Sequence, residues 1–126
     1  MSQDVVSDAL NMMRNAIKAR KETLEIKRIS GLLIEVLKIM KQKNAIKRYK
    51  IDSRKKTVEI DIGTMVECRA IKPRFTVKKE DIEKYRRRFL PARGIGTIVV
   101  STNKGLITHD EAVEKGTGGS LIAYFY

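Results

Sequence analysis

The sequence contains few of the side chains from which disulfide, metal and catalytic sites are built. It has one cysteine, Cys68, and one histidine, His109, among 126 residues. A single cysteine excludes an internal disulfide framework and indicates a reducing, intracellular setting. The two side chains stand far apart in the sequence without the spacing of metal ligands, so we expect no metal site. Cys68 is predicted to be a small core residue of a strand.

Catalytic motifs are equally scarce. Ser101, His109 and Asp110 could supply the residue types of a hydrolase, but a nucleophile needs a base within reach and a third group that orients that base. His109 directly precedes Asp110 in a predicted first helical turn, and the sequence has no Gly-x-Ser-x-Gly segment. We therefore expect no enzymatic activity, no cofactor and no small-molecule substrate. His109 is interpreted as a solvent-facing residue or a neighbour of the helix cap.

The sequence also lacks long apolar runs, and its basic residues outnumber its acidic residues. No uninterrupted apolar segment approaches the roughly 20 residues of a membrane-spanning helix. The N-terminal MSQDVVSD has two acids and no apolar core, so we do not expect a signal peptide. The net charge of +12 predicts an anionic partner. Nucleic acid is the leading candidate, because neutralised phosphates release counterions, and an anionic membrane surface is the second.

The positive charge is concentrated in two segments. Residues 38–56 contain nine basic residues and one acid, and residues 69–93 contain ten basic residues and three acids. Residues 94–126 carry only two basic residues against three acids. We expect the two basic segments to supply long-range attraction, although Arg86-Arg87-Arg88 could also be only a solvated helix face. Lys78-Lys79 could contact either RNA or a neighbouring protein.

Hydrophobic periodicity predicts an N-terminal module of residues 1–62. An apolar spacing of four, three and four predicts a helix over residues 4–19 with Asp4 as its cap. Ser30 is the predicted N-cap of a second helix that ends near Lys43. Strands are predicted over residues 23–27, 46–51 and 57–62. The order of elements is therefore α-β-α-β-β.

A second module of residues 63–126 is predicted to follow Gly63 and to be mainly β with short helices. Pro73 is expected to break the extended region of residues 64–77, because proline cannot donate to a strand ladder. The remaining predicted elements are an exposed basic helix over 80–88, a strand over 96–101, a helix with a Thr108–Glu111 capping box that ends at Gly116, and a strand over 121–126. The fold class is thus α+β.

The segment Ser101-Thr102-Asn103-Lys104-Gly105 places small polar residues at the tip of an apolar strand. Local composition alone favours an ordinary turn. Hydroxyl and amide groups, however, both donate and accept, so they can read base edges and ribose hydroxyls in the shallow minor groove of RNA. Gly116, Gly118 and Gly119 would let a second loop approach without side-chain obstruction.

Several segments together resemble one family, the universal small-subunit ribosomal protein number eight in its archaeal and eukaryotic form. The C-terminal half carries the clearest matches, which are Ile71–Phe75, Leu90-Pro91-Ala92-Arg93, Ser101–Gly105, Leu106–Ala112, Gly118-Gly119 and Ala123–Tyr126. The N-terminal half adds Asp8–Asn11, Asn15-Ala16 and Val36–Met40. These matches occur in order along essentially the whole chain.

The resemblance implies a two-module α+β fold and a role as a cytoplasmic constituent of the small ribosomal subunit. It implies binding to the central domain of the small-subunit rRNA early in assembly, with other small-subunit proteins as neighbours. The hydroxyl loop would enter the minor groove of the RNA. The predicted RNA-binding residues are Arg28, Ser30, Lys72, Arg74, Arg86, Arg93, Ser101, Thr102, Asn103, Lys104, Gly105, Gly118 and Gly119.

Several positions depart from the family pattern, Arg69 among them. Asn103 replaces a common serine, Gly31 replaces a lysine, and Ser120 replaces a charged residue that follows the double glycine in some members. Arg28 could restore the charge lost at Gly31. Two further function classes stay open at this stage: a free-standing RNA-binding or chaperone module, and a protein–protein adaptor that uses the basic helix.

Overall fold

The protein combines a helix-rich N-terminal unit with a sheet-rich C-terminal unit, as the α+β prediction requires. The computed structural model describes residues 5–92 and 94–126. Asp4, the predicted cap of the first helix, lies outside them. Contacts divide the chain between Arg69 and Ala70, somewhat beyond the predicted joint at Gly63.

The N-terminal unit contains two helices and a three-stranded antiparallel sheet. The elements follow the predicted α-β-α-β-β order, which is α1 (Val5–Lys18), β1 (Thr23–Ile26), α2 (Gly31–Gln42), β2 (Ile46–Asp52) and β3 (Thr57–Ile62). The strands lie in the order β1-β3-β2, so the alternating β3 is central and buries Val58, Ile60 and Ile62. The predicted cap of α2 is confirmed, because the Ser30 hydroxyl accepts a hydrogen bond from the Leu33 N–H at 3.1 Å.

The C-terminal unit is built on a four-stranded sheet in the order β4-β7-β5-β6. Its elements are β4 (Cys68–Val77), whose first two residues belong to the N-terminal unit, α3 (Ile82–Phe89), β5 (Thr97–Thr102), β6 (Gly105–Thr108), α4 (His109–Lys115) and β7 (Gly119–Phe125), with a 3₁₀ turn at Lys79–Asp81. A core that includes Ile82, Ile98, Val100 and Leu121 holds α3 and α4 against the sheet. The capping box of Thr108 and Glu111 and the left-handed Gly116 cap are as predicted.

The predicted break at Pro73 is wrong. β4 runs without interruption through Pro73, and it lies at one edge of the four-stranded sheet. An edge strand has one side on which no neighbouring strand needs an N–H donor, so proline is tolerated there. The sequence did not predict the strand β6, because its four residues follow directly on the polar turn.

Cys68 lies at the start of β4 and is fully buried, as predicted for a core residue. Burial, with a smaller contribution from the Glu67 carboxylate, raises the pKa of its thiol to about 12. Because only the thiolate is a good nucleophile, we expect iodoacetamide at pH 8 to leave the folded protein unmodified. The same reagent should alkylate the protein in 8 M urea (roughly the concentration that unfolds small domains) within minutes. Equal rates in the two conditions, followed by mass spectrometry, would contradict this burial.

Candidate nucleic-acid interface

The polar segment after β5 forms the tight tip of a β-hairpin. β5 pairs with β6 in antiparallel register down to Thr102 opposite Gly105, which leaves Asn103 and Lys104 as the turn. The Thr102 hydroxyl donates to the Gly105 carbonyl at 2.9 Å and accepts from the Lys104 N–H at 3.2 Å. Gly105 has a φ of +117°, which favours glycine. The hydroxyl of Thr102 therefore holds the turn in one shape.

Small hydroxyl side chains form a row across three neighbouring strands beside this tip. Ser101 on β5 lies directly opposite Ser120 on β7. The Ser120 hydroxyl lies 3.1 Å from the hydroxyl of Thr76 on β4, within hydrogen-bonding distance. Residues directly opposite in an antiparallel pair share a face of the sheet, so Ser101 extends the row started by Thr76 and Ser120. Ser120, whose role the sequence left undefined, thus belongs to the same surface as the hairpin.

The hydroxyl row lies in an open groove of about 850 Å³. Four lysines and one acid are the charged residues of its lining, which consists of Thr76–Glu80, Ser101–Lys104, Ile107 and Lys115–Ser120. The lysine ammonium groups come from the end of β4, the hairpin turn and the end of α4, and all four lysines are exposed. The groove therefore combines positive charge at its sides with small groups that both donate and accept hydrogen bonds.

Gly118 and Gly119 also line the groove, but they leave room for the protein's own backbone. A Cβ placed on Gly119 would collide with the carbonyl oxygen of Ser101 and lie 2.8 Å from Val100 Cγ1. A Cβ on Gly118 would collide with the carbonyl oxygen of Val77 and lie 3.1 Å from Lys78 Cα. The space that was predicted to admit a second loop is thus occupied by the neighbouring strands. The absence of side chains at the two glycines lets β7 approach β4 and β5.

The lining of this groove includes none of the other predicted RNA-binding residues that the structure describes. Lys72 and Arg74 are exposed on β4 but do not line it. In the N-terminal unit, Arg28 forms an exposed ion pair with Asp8 at 3.0 Å, and Ser30 caps α2. Arg93 lies outside the described residues.

Arg86 differs from the exposed phosphate contact that its sequence context predicts. Its side chain is buried, with only 8% of the residue exposed, and its guanidinium contacts Glu83 at 2.7 and 2.8 Å. The position of Arg86 one turn after the buried Ile82 explains this, since residues four apart share a helix face. Arg87 and Arg88 are exposed.

Arg86 and Arg87 are therefore expected to differ in their contribution to the stability of the fold. We expect Arg86→Ala to lower the midpoint of thermal unfolding, because its stem packs in the core and its head pairs with Glu83. The exposed neighbour provides the matched control: Arg87→Ala should leave the midpoint nearly unchanged. Thermal unfolding followed by circular dichroism measures both. A midpoint for Arg86→Ala equal to that of Arg87→Ala would show that Arg86 is a surface residue after all.

His109 is buried, so the solvent-facing alternative is wrong, and it directly follows the Thr108 cap of α4, as the other alternative predicts. It is 4% exposed, and its Nδ1 accepts a hydrogen bond from the Ile98 N–H at 3.1 Å. The pairing of β5 with β6 begins one residue later, at Val99, so the ring takes the N–H that β6 does not reach. The other ring nitrogen, Nε2, lies 3.4 Å from a carboxylate oxygen of Asp110. Within residues 5–92 and 94–126, no cluster of three potential metal ligands occurs.

The N-terminal unit carries the first basic segment on its surface. All nine lysines and arginines between residues 38 and 56 are exposed. Arg48 pairs with Asp61 on the neighbouring strand, and Lys41 lies over the ring of Tyr49 at 5.9 Å. None of the helices in the described part of the chain is long and apolar enough to cross a membrane.

Several groove residues were not among the predicted contacts. Lys78 and Lys79 are absent from the predicted RNA-binding residues because the sequence left them open between RNA and a neighbouring protein. Thr76, Lys115 and Thr117 had no signal in the sequence, since their position beside the hairpin depends on how β4, α4 and β7 pack.

Comparison with known proteins gives one consistent result. The family model described as "Ribosomal protein S8" matches residues 4–126. The chain is also 41% identical over 129 aligned residues to the small ribosomal subunit protein uS8 of Nanoarchaeum equitans (strain Kin4-M), and the alignment covers 100% of both chains. The chain belongs to the ribosomal protein S8 family.

Proposed function

We propose that this protein is a non-enzymatic structural constituent of the small ribosomal subunit that binds the central domain of the small-subunit rRNA early in assembly. It would act in the cytoplasm, next to other small-subunit ribosomal proteins. The family match supports the ribosomal role, and the groove of the C-terminal unit supports the mode of binding.

One observation carries the proposed mode of binding: a rigid polar hairpin tip, a hydroxyl row and four lysines lie in the same groove. The minor groove of an RNA helix is wide and shallow and displays 2′-hydroxyls and base edges. Ser101 and Asn103 offer donors and acceptors of short reach to those groups, while Thr102 fixes the turn that presents them. The lysines flank this contact where phosphates of the RNA would lie.

The exposed basic residues between 38 and 56 favour a second candidate, a non-ribosomal RNA-binding or chaperone module. Such a surface attracts any RNA through its phosphates and carries no sequence information. The two candidates therefore differ in the ratio of specific to unspecific affinity.

A filter-binding experiment with three ligands separates these candidates. The ligands are an rRNA central-domain fragment, an unrelated RNA duplex of equal length, and a DNA duplex with the sequence of the base-paired part of the rRNA fragment. Ribosomal function predicts tight binding to the fragment, roughly micromolar or weaker binding to the unrelated duplex, and weakened binding to DNA, which lacks 2′-hydroxyls. Equal affinity for both RNAs would favour the chaperone, and no binding to either RNA would contradict both functions.

Thr102→Ala tests the hairpin within this proposal. We expect it to weaken binding to the central-domain fragment by about 1–3 kcal/mol with little change in salt dependence, because it loosens the turn that presents Ser101 and Asn103. Thr102→Ser, which keeps the hydroxyl, should retain most of the affinity.

Thr64→Ala is the matched control. The Thr64 hydroxyl also donates an exposed hydrogen bond to a backbone carbonyl, that of Asn44 at 3.1 Å, but Thr64 lies in the N-terminal unit. If Thr102→Ala and Thr64→Ala bind the fragment equally well, the hairpin is only a turn and has no role in recognition.

A further inference from the structure

The C-terminal unit carries a ladder of five aromatic rings, which we call the aromatic ladder: Phe75, Tyr85, Phe89, Tyr124 and Tyr126. Successive ring centroids lie 5.0, 6.3, 5.1 and 6.4 Å apart. Every ring of the ladder is half-buried, so one part packs on the core and the other part remains at the surface. None of these rings lines the groove proposed to bind RNA.

The arrangement of the rings determines what they can bind. The Tyr85, Phe89, Tyr124 and Tyr126 planes are nearly parallel to their neighbours, with angles of 18°, 24° and 10°. Neighbouring rings lie beside these faces, and the cations of Lys84 and Arg88 lie over the rings of Tyr85 and Phe89, so a nucleobase would have to displace a cation to stack there. Ring edges carry partial positive charge, so wherever a ring edge is exposed it attracts carboxylates as well as apolar groups.

Basic side chains flank the ladder and strengthen this preference. The Lys84 ammonium lies 5.8 Å from the centre of the Tyr85 ring, and the Arg88 guanidinium carbon lies 5.6 Å from that of Phe89. Lys84 and Arg88 are four residues apart on α3, next to the stripe formed by Tyr85 and Phe89. Both are exposed. The ladder is thus an apolar strip with cations along one side.

We infer that the aromatic ladder is a docking surface for a protein segment that combines carboxylates with apolar side chains. The apolar side chains of such a segment would cover the exposed parts of the rings, and its carboxylates would pair with Lys84 and Arg88. Charge complementarity selects this occupant over a basic segment, and the rings and cations beside the ring faces select it over single-stranded RNA. This surface is separate from the RNA groove, so its test does not depend on that site.

Aromatic NMR signals of the full-length protein provide the test. The probes are a twelve-residue peptide of alternating Glu and Leu, its Lys and Leu counterpart, and a ten-nucleotide oligouridine RNA. We expect the acidic peptide to shift the Phe89 and Tyr124 signals. Tyr49, which lies under Lys41 in the N-terminal unit, is an internal control and should not move.

Charge reversal completes the experiment. Arg88→Glu should weaken binding of the acidic peptide at least tenfold. Lys41→Glu, the matched control, should leave that binding unchanged. The inference is overturned if the oligouridine shifts the ladder and the acidic peptide does not. It is equally overturned if the acidic peptide moves Tyr49 as much as Phe89, or if no peptide shifts the ladder at millimolar concentration.

Discussion

Gly119→Ala is expected to destabilise the protein by about 3 kcal/mol, which lowers the unfolding midpoint of a small domain by roughly 10 °C. The added Cβ would collide with the carbonyl oxygen of Ser101 and press on Val100 Cγ1 at 2.8 Å. The obstacle is backbone of β5, which is paired with β7 at this point and cannot move without breaking the ladder. Gly118→Ala should behave similarly, because its Cβ would meet the Val77 carbonyl.

Gly31→Ala is the matched control for this substitution. No atom lies within 4 Å of a Cβ built on Gly31, the first residue of α2. Alanine there should be neutral or stabilise the fold by up to about 1 kcal/mol, since it restricts the unfolded chain. Urea unfolding measures all three variants. A Gly119→Ala midpoint close to that of Gly31→Ala would mean that β7 does not approach β5 as closely as described.

The largest expected effect on RNA binding comes from replacing all four groove lysines by glutamine. Each phosphate contact changes the salt slope by about 0.9, which corresponds to nearly tenfold in affinity at 0.1 M salt, so four contacts amount to up to about four-thousandfold. The substituted residues are Lys78, Lys79, Lys104 and Lys115, all exposed, and we expect the unfolding midpoint to change little. Titrations at several salt concentrations should show the slope fall by up to about 3.6 units.

A second quadruple variant controls for net charge. Lys41, Lys47, Lys50 and Lys55 are also exposed, and they lie in the basic segment of the N-terminal unit. Their replacement by glutamine removes the same charge but should weaken binding of the rRNA fragment and binding of an unrelated duplex by similar factors. The groove variant should instead lose affinity for the fragment preferentially. If both variants reduce specificity equally, the groove has no special role.

Features with a local physical cause could be predicted from the sequence. The alternation of Val58, Ile60 and Ile62 predicted the buried face of β3, because side chains in a strand alternate between two faces. The capping residues Ser30 and Thr108 were predicted in the same way, since a cap is formed by residues within one turn.

Features that depend on neighbouring segments could not be predicted in this way. Pro73 breaks a central strand but not an edge strand, and the position of β4 at the edge follows from the whole sheet. Gly118 was correctly associated with close approach, but the approaching chain is β4. The burial of Arg86 had a signal that three consecutive arginines obscured, namely its spacing from Ile82.

The candidate site shows the same division. The hairpin tip from Ser101 to Gly105 could be identified because its polar residues are contiguous. Thr76 and Ser120 could not, because they join the tip only through the pairing of β4, β7 and β5.

Amide chemical-shift mapping tests the central claim, that the hairpin groove makes the specific contact with RNA. The full-length protein is titrated with the rRNA central-domain fragment and, separately, with an unrelated duplex of equal length, at a salt concentration that suppresses unspecific attraction. We predict that the fragment shifts Thr76, Ser101–Gly105 and Thr117–Ser120, and that the unrelated duplex leaves them unchanged. Shifts confined to residues 38–56, with the hairpin unchanged on binding the fragment, would contradict that claim.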